Sequence, residues 1–113
     1  MCGIVGGVFK PGAIPPVKRI ESALDTLTHR GPDDRGYFFE QCCVLGNTRL
    51  SIQDVADGHQ PFYSDDGDVV VIQNGEIFNH IELREDLLST GIRCTTRCDT
   101  EVILKLYERE GLG

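Results

Sequence analysis

The 113-residue chain carries 18 Asp and Glu against 11 Lys and Arg, a net charge of −7, and 40% of its residues are hydrophobic. That length holds one domain at most, and the acidity disfavours a nucleic-acid partner, because phosphate-backbone binding rests on clustered Lys and Arg, whereas Lys18, Arg19 and Arg30 are scattered. The opening apolar run ends at Lys10, too short for a membrane span and without the basic lead of a signal peptide, so neither a membrane partner nor export is expected.

The elements alternate. Cys2 to Phe9 is apolar and β-branched with glycines interspersed, which predicts a strand with close backbone neighbours. Pro15-Pro16 opens a helix whose face is Val17, Ile20, Leu24 and Leu27. His29 to Asp33 breaks it into a loop. Gly36 to Glu40 and Cys43 to Arg49 read as strands. Ser64-Asp65-Asp66-Gly67 is a turn that feeds the run Val69 to Ile72, an unbroken apolar stretch expected to be covered on both faces. Asn79 with Glu82 resembles a capping box at the head of a second helix; Leu83, Leu87 and Leu88 form its face and Gly91 ends it. Ile92 to Thr96 reads as a short strand. Asp99 or Thr100 caps a third helix with Val102, Ile103, Leu106 and Tyr107 as its buried stripe.

The chemistry starts at Cys2. Removal of Met1 would leave one residue holding both a thiol and a free amine. A thiol titrates at about 8.5 and an α-amine at about 7.7–8.0, so the amine can take the thiol proton without a separate histidine. The five cysteines are Cys2, Cys42, Cys43, Cys94 and Cys98; an odd count with one adjacent pair and no export signal predicts reduced thiols in a cytoplasm. A zinc site from the last four is disfavoured, since the spacings are not those of a knuckle and adjacent strand residues point to opposite faces. No metal is expected.

The other polar candidates suit a small zwitterion. The guanidinium of Arg49, at a strand end, matches a carboxylate. Asn74-Gly75, after the valine run, offers a side-chain NH₂ and an accessible backbone N–H, a pair able to serve an oxyanion. Asp99 could accept from an ammonium. Taken singly, Arg49 could be a surface ion pair, Asn74-Gly75 a turn and Asp99 a helix cap.

Six stretches in order, Met1 to Gly6, His29 to Asp33, Arg49 to Ile52, Gly58 to Pro61, Asn74 to Asn79 and Asp99 to Ile103, resemble the glutaminase domain of asparagine synthetase, a class II glutamine amidotransferase and N-terminal nucleophile hydrolase. The resemblance implies an α+β fold, part of an αββα four-layer sandwich truncated after the third helix. It also implies that residues 1–113 are an incomplete glutaminase domain, with its remainder and a synthetase domain beyond. The activity it implies is hydrolysis of L-glutamine to glutamate and ammonia. Cys2 matches the nucleophile that forms a γ-glutamyl thioester, and Asn74 and Gly75 match the oxyanion hole. Arg49 matches the residue holding the α-carboxylate, and Glu76 and Asp99 match groups at the amino side. The backbone of Leu50, Ser51, Ile52 and Gln53 matches the pocket wall. No cofactor is implied here; ATP and Mg²⁺ belong to the synthetase domain, the partner in cis that receives the ammonia. Self-association is also expected, as cover for apolar surface and strand edges.

Some residues depart from that pattern. Asn47 stands where the family usually has His, and Phe78 where it usually has Tyr. Cys98 precedes Asp99 where Ser or Thr is usual. Two other readings remain: an unrelated Cys–His hydrolase using His29, His59 or His80, and a non-catalytic or regulatory fragment of an asparagine-synthetase-like amidotransferase that acts on another acid, such as a sugar acid.

Overall fold

A computed structural model describes residues 2–14, 16–50 and 58–112. The elements in chain order are β1 (Gly3–Val8), α1 (Val17–Thr26), β2 (Asp34–Phe39), β3 (Cys43–Arg49), β4 (Phe62–Tyr63), β5 (Val70–Val71), α2 (His80–Ser89) and α3 (Asp99–Glu110). The fold is α+β, with antiparallel sheets and helices in separate layers.

β3 is the central strand of a three-stranded sheet ordered β1-β3-β2. Gly3 stands opposite Thr48 and Asp34 opposite Arg49, so the start of β1, the start of β2 and the end of β3 share one edge. Side chains alternate across the strand. Val44, Gly46 and Thr48 face α1, and Ile20, Leu24 and Val44 form the core there with Val5, Phe9 and Tyr37 packed around them. Leu24 and Val44 are fully buried, each contributing about 1.5–3 kcal/mol relative to exposure. Asn47 and Arg49 point to the opposite face and are buried there too.

That opposite face meets the second layer. β4 and β5 form a hairpin closed by the Ser64–Gly67 turn, where Ser64 N donates to Val69 O at 2.9 Å. α3 lies against both strands and α2 lies against α3. The layers join where Tyr63 meets Phe38 edge-on at 6.0 Å and where a ring nitrogen of His59 lies 2.6 Å from Asp34 Oδ2.

The α1 helix, β1, β3 and the turn lie where the sequence places them, and β2 begins two residues earlier than Gly36. Four expectations need correction. The valine run yields only a two-residue strand, half-buried rather than covered on both faces, because among the described residues its only strand partner is β4. Ile92–Thr96 is not a strand; its last residues donate to the Glu101 carboxylate, so side-chain bonds replace a ladder. Asn79 is the N-cap of α2 but its side chain makes no capping bond, while Gly91 at φ 86° does end that helix. The N-cap of α3 is Cys98, one residue before Asp99, and its buried stripe includes Leu104 and Glu101, whereas Tyr107 is 40% exposed.

Candidate active site

A cavity of about 340 Å³ lies between the two layers, lined on one side by Cys2, Arg49 and Leu50. The facing wall is Gln73, Asn74, Gly75 and Glu76, and Gln60 with Cys98, Asp99 and Thr100 closes it. Residues spread over almost the whole chain thus converge on one space.

The sheet edge positions the thiol. Cys2 precedes β1 directly, and the β1–β3 register carries it to the level of Arg49, with its sulfur beside Leu50. Leu50 N donates to Cys2 Sγ at 3.4 Å, while the sulfur lies 3.9 Å from Leu50 O. Arg30 Nε, from the loop after α1, donates to Cys2 O at 3.0 Å and fixes the backbone from the other side.

Arg49 is 4% exposed and reaches the cavity from the end of β3. Asp99 is 5% exposed at the first position of α3. Its Oδ2 accepts from Ile77 N at 2.7 Å, which ties α3 to the segment carrying Asn74 to Glu76. One guanidinium and one carboxylate on the walls of a single small cavity give a matched pair of grips for a zwitterion. Asn74, Gly75 and Glu76 are exposed at the mouth and present a side-chain amide, a backbone N–H and a carboxylate.

Of the residues singled out in the sequence, Cys2, Arg49, Leu50, Asn74, Gly75, Glu76 and Asp99 all line the cavity. Ser51, Ile52 and Gln53 lie outside the described residues. None of His29, His59 and His80 lines it, which removes geometric support from a Cys–His reading. Asn47 is 1% exposed, and its Oδ1 has no hydrogen-bond partner among the described residues. Phe78 is 94% exposed and does not line the cavity.

Sequence reasoning assigned no role in the site to Gln60, Gln73, Thr100 or Glu101. Gln60 and Thr100 fall inside recognised stretches, a signal that could have raised them. Glu101, 2% exposed, accepts from Thr95 N at 2.5 Å and Thr96 N at 3.1 Å and so shapes the loop before Cys98. Arg84 Nη2 donates to Cys98 O at 3.3 Å, and Nη1 bonds Thr96 O, from the other side of that loop. Burial first, and the charge of Glu101 next, push the Cys94 thiol up. Among the described residues no cluster of His, Cys, Asp or Glu could hold a metal ion, and no helix is long and apolar enough to cross a membrane.

The chain is 42% identical over 111 residues to asparagine synthetase [glutamine-hydrolyzing] 1 of Bacillus subtilis (strain 168), a match that covers 95% of this chain and 17% of that protein. Over 113 residues it is 43% identical to asparagine synthetase [glutamine-hydrolyzing] 2 of Oryza sativa subsp. japonica, covering 98% of this chain and 19% of the relative. Asparagine synthetase [glutamine-hydrolyzing] 3 of Arabidopsis thaliana is 47% identical over 93 residues, 82% of this chain and 16% of its own length. The chain therefore spans less than a fifth of each of these relatives. The glutamine amidotransferase domain model matches residues 1–113, and the chain belongs to that family.

Proposed function

We infer that the cavity hydrolyses the side-chain amide of L-glutamine with Cys2 as nucleophile. The observation that carries this reading is the convergence of the Cys2 thiol, the Asn74-Gly75 donors, Arg49 and Asp99 on one cavity of about 340 Å³. Arg49 holds the α-carboxylate of the substrate, and Asp99 with Glu76 receives its ammonium. That fixes both ends of the amino acid and sends the amide toward sulfur.

Once Met1 is removed, the Cys2 amine takes the thiol proton. Sulfur attacks the amide carbon, and the carbonyl oxygen becomes an oxyanion held by the Asn74 side-chain NH₂ and the Gly75 N–H. Collapse breaks the carbon–nitrogen bond. The amine returns its proton to the leaving nitrogen, and ammonia departs, leaving a γ-glutamyl thioester. The amine then takes a proton from water, hydroxide adds to the thioester, and glutamate leaves with the thiol restored. No step draws on a cofactor.

The names of the relatives support an asparagine-synthetase-type enzyme, in which the ammonia feeds an ATP- and Mg²⁺-dependent amidation of aspartate in a synthetase domain outside residues 1–113. The five free thiols fit a reducing compartment, and we place the reaction in the cytoplasm.

Intact mass of the full-length protein, before and after 6-diazo-5-oxo-norleucine, tests the nucleophile. One adduct is expected, lost in Cys2→Ala together with glutaminase activity, while Cys2→Ser keeps little activity because its alkoxide forms far less readily. Amidation from free ammonia should survive both changes. Glutamine hydrolysis that persists in Cys2→Ala refutes the mechanism, and a processed wild type that takes no adduct and hydrolyses no glutamine favours a non-catalytic role.

A further inference from the structure

A closed ring of hydrogen bonds ties the Asn74-Gly75 wall to the rest of the protein. Gln60 Nε2 donates to Thr100 Oγ1 at 3.2 Å, Thr100 Oγ1 donates to Gln73 Oε1 at 2.8 Å, and Gln73 N donates to Gln60 Oε1 at 2.7 Å. Three segments meet in it: the stretch before β4, the residues after β5 and the first turn of α3. Gln60 and Thr100 are 4% and 1% exposed, so water competes poorly for these bonds.

The ring has a direction. If the Gln60 amide turned over, its NH₂ would face the Gln73 N–H, donor against donor. The Thr100 hydroxyl has one proton; it accepts from Gln60 and so gives that proton to Gln73. Each member fixes the orientation of the next.

The two sides of the ring are anchored differently. The main chain of Gln60 presses on the sheet: a Cβ at Gly36 of β2 would stand 1.7 Å from Gln60 O. Only glycine admits that approach, and the same sheet sets Cys2 and Arg49. On the other side, Gln73 directly precedes Asn74, and its Nε2 lies 3.6 Å from where a Cβ on Gly75 would stand. The ring spans from the layer that carries the thiol to the backbone that carries the oxyanion donors.

We propose that Gln60, Gln73 and Thr100 are positioning residues, a polar spacer that sets the separation between Cys2 Sγ and the Asn74 and Gly75 donors. This rests on the glutaminase reading of the cavity and adds which side chains hold its two halves in register. Arg49 and Asp99 are not members of the ring. Loosening it therefore displaces the donors relative to sulfur while Arg49 and Asp99 still hold the two ends of the substrate, and the loss falls on kcat rather than KM.

Thr100→Val in the full-length protein removes the hydroxyl at constant shape. The kcat for glutamine hydrolysis is expected to fall about 10–100-fold, in line with the cost of a misplacement on the order of 1 Å, with KM changed less than about threefold. Thr100→Ser, which keeps the hydroxyl, should return kcat to within about threefold of wild type. Gln73→Leu breaks the ring at a half-buried position and gives the same kcat loss should Thr100→Val not fold. An unchanged kcat in either folded variant, a change confined to KM, or no rescue by serine overturns the proposal. Wild type is assayed alongside: turnover with indifferent variants sinks the spacer alone, whereas a wild type that neither turns over glutamine nor is labelled at Cys2 by the diazo analogue sinks the glutaminase reading and the spacer with it.

Discussion

Glu101→Ala removes the carboxylate that holds the loop in front of α3. Four donors converge on it: Thr95 N at 2.5 Å, Thr96 N at 3.1 Å, Thr95 Oγ1 at 3.0 Å and Thr96 Oγ1 at 3.3 Å. A hydrogen bond to a charged group contributes about 1.5–3 kcal/mol, but these are not additive, and water can replace part of the loss because Thr95 is exposed and Thr96 half-buried. A net destabilisation of about 2–3 kcal/mol follows, a large share of the ~5–15 kcal/mol that holds a domain together. For a domain of this size that corresponds to a fall in Tm of about 10–20 °C. Glu101→Gln keeps one acceptor but turns an NH₂ toward the two backbone N–H groups, so it should lie between wild type and alanine. Urea unfolding followed by circular dichroism reads both variants, with the m-value checking that the denatured state is unchanged. If both lie within about 0.5 kcal/mol of wild type, the loop does not depend on Glu101 and the reasoning is wrong.

The two kinds of site residue separate kinetically: Arg49→Lys keeps a charge but loses the planar fork and should mainly raise KM for glutamine, while Asn74→Ala should lower kcat by about 10²–10³-fold. Steady-state kinetics on both variants decides this, and a pure KM effect for Asn74→Ala would refute the oxyanion assignment. In the hairpin turn, the Ser64 hydroxyl at 2.6 Å and then the Asp68 N–H at 3.0 Å hold the Asp66 carboxyl below its ordinary range. The folded state therefore binds fewer protons here than the unfolded chain, so the stabilisation is present above the unfolded value of about 3.9 and fades as the pH falls through the lowered folded value. Asp66→Asn should flatten the acid limb of the stability–pH curve below about pH 4, and superimposable acid limbs would refute it.

Local patterns gave away the elements whose stability is local or one-faced. The helix over Val17–Thr26 was legible because Ile20 and Leu24 recur at helical spacing and both are buried. β3 was legible because the sequence reading Cys43 to Arg49 has the length and bounds of the strand itself. The reading failed where tertiary partners decide. Val69–Ile72 looks like a core strand, yet among the described residues its only strand partner is Phe62–Tyr63, a pair too short to be seen in the sequence. Ile92–Thr96 has strand-like composition, but a buried carboxylate from the next helix satisfies its backbone instead. Apolar runs report that a segment is sheltered and do not report by what.

The site divides along the same line. Residues that meet a ligand carry their chemistry in their own side chains, so Cys2, Arg49, Asn74 and Asp99 could be nominated one by one and then found on one cavity. Residues that act by holding others have no such signature. A glutamine at position 60 reads as a surface polar residue until the fold buries it against Thr100 and Gln73. Gly36 reads as the start of a strand until the carbonyl of Gln60 is seen pressed against it. On the proposed mechanism these long-range contacts carry the geometric demand of catalysis, because oxyanion donors work only when held within about half an ångström of the productive position. A chain that kept every nucleophile and grip but lost Gly36 would still look like this family by its motifs, and on the proposed mechanism its chemistry would be slower for reasons that no motif records.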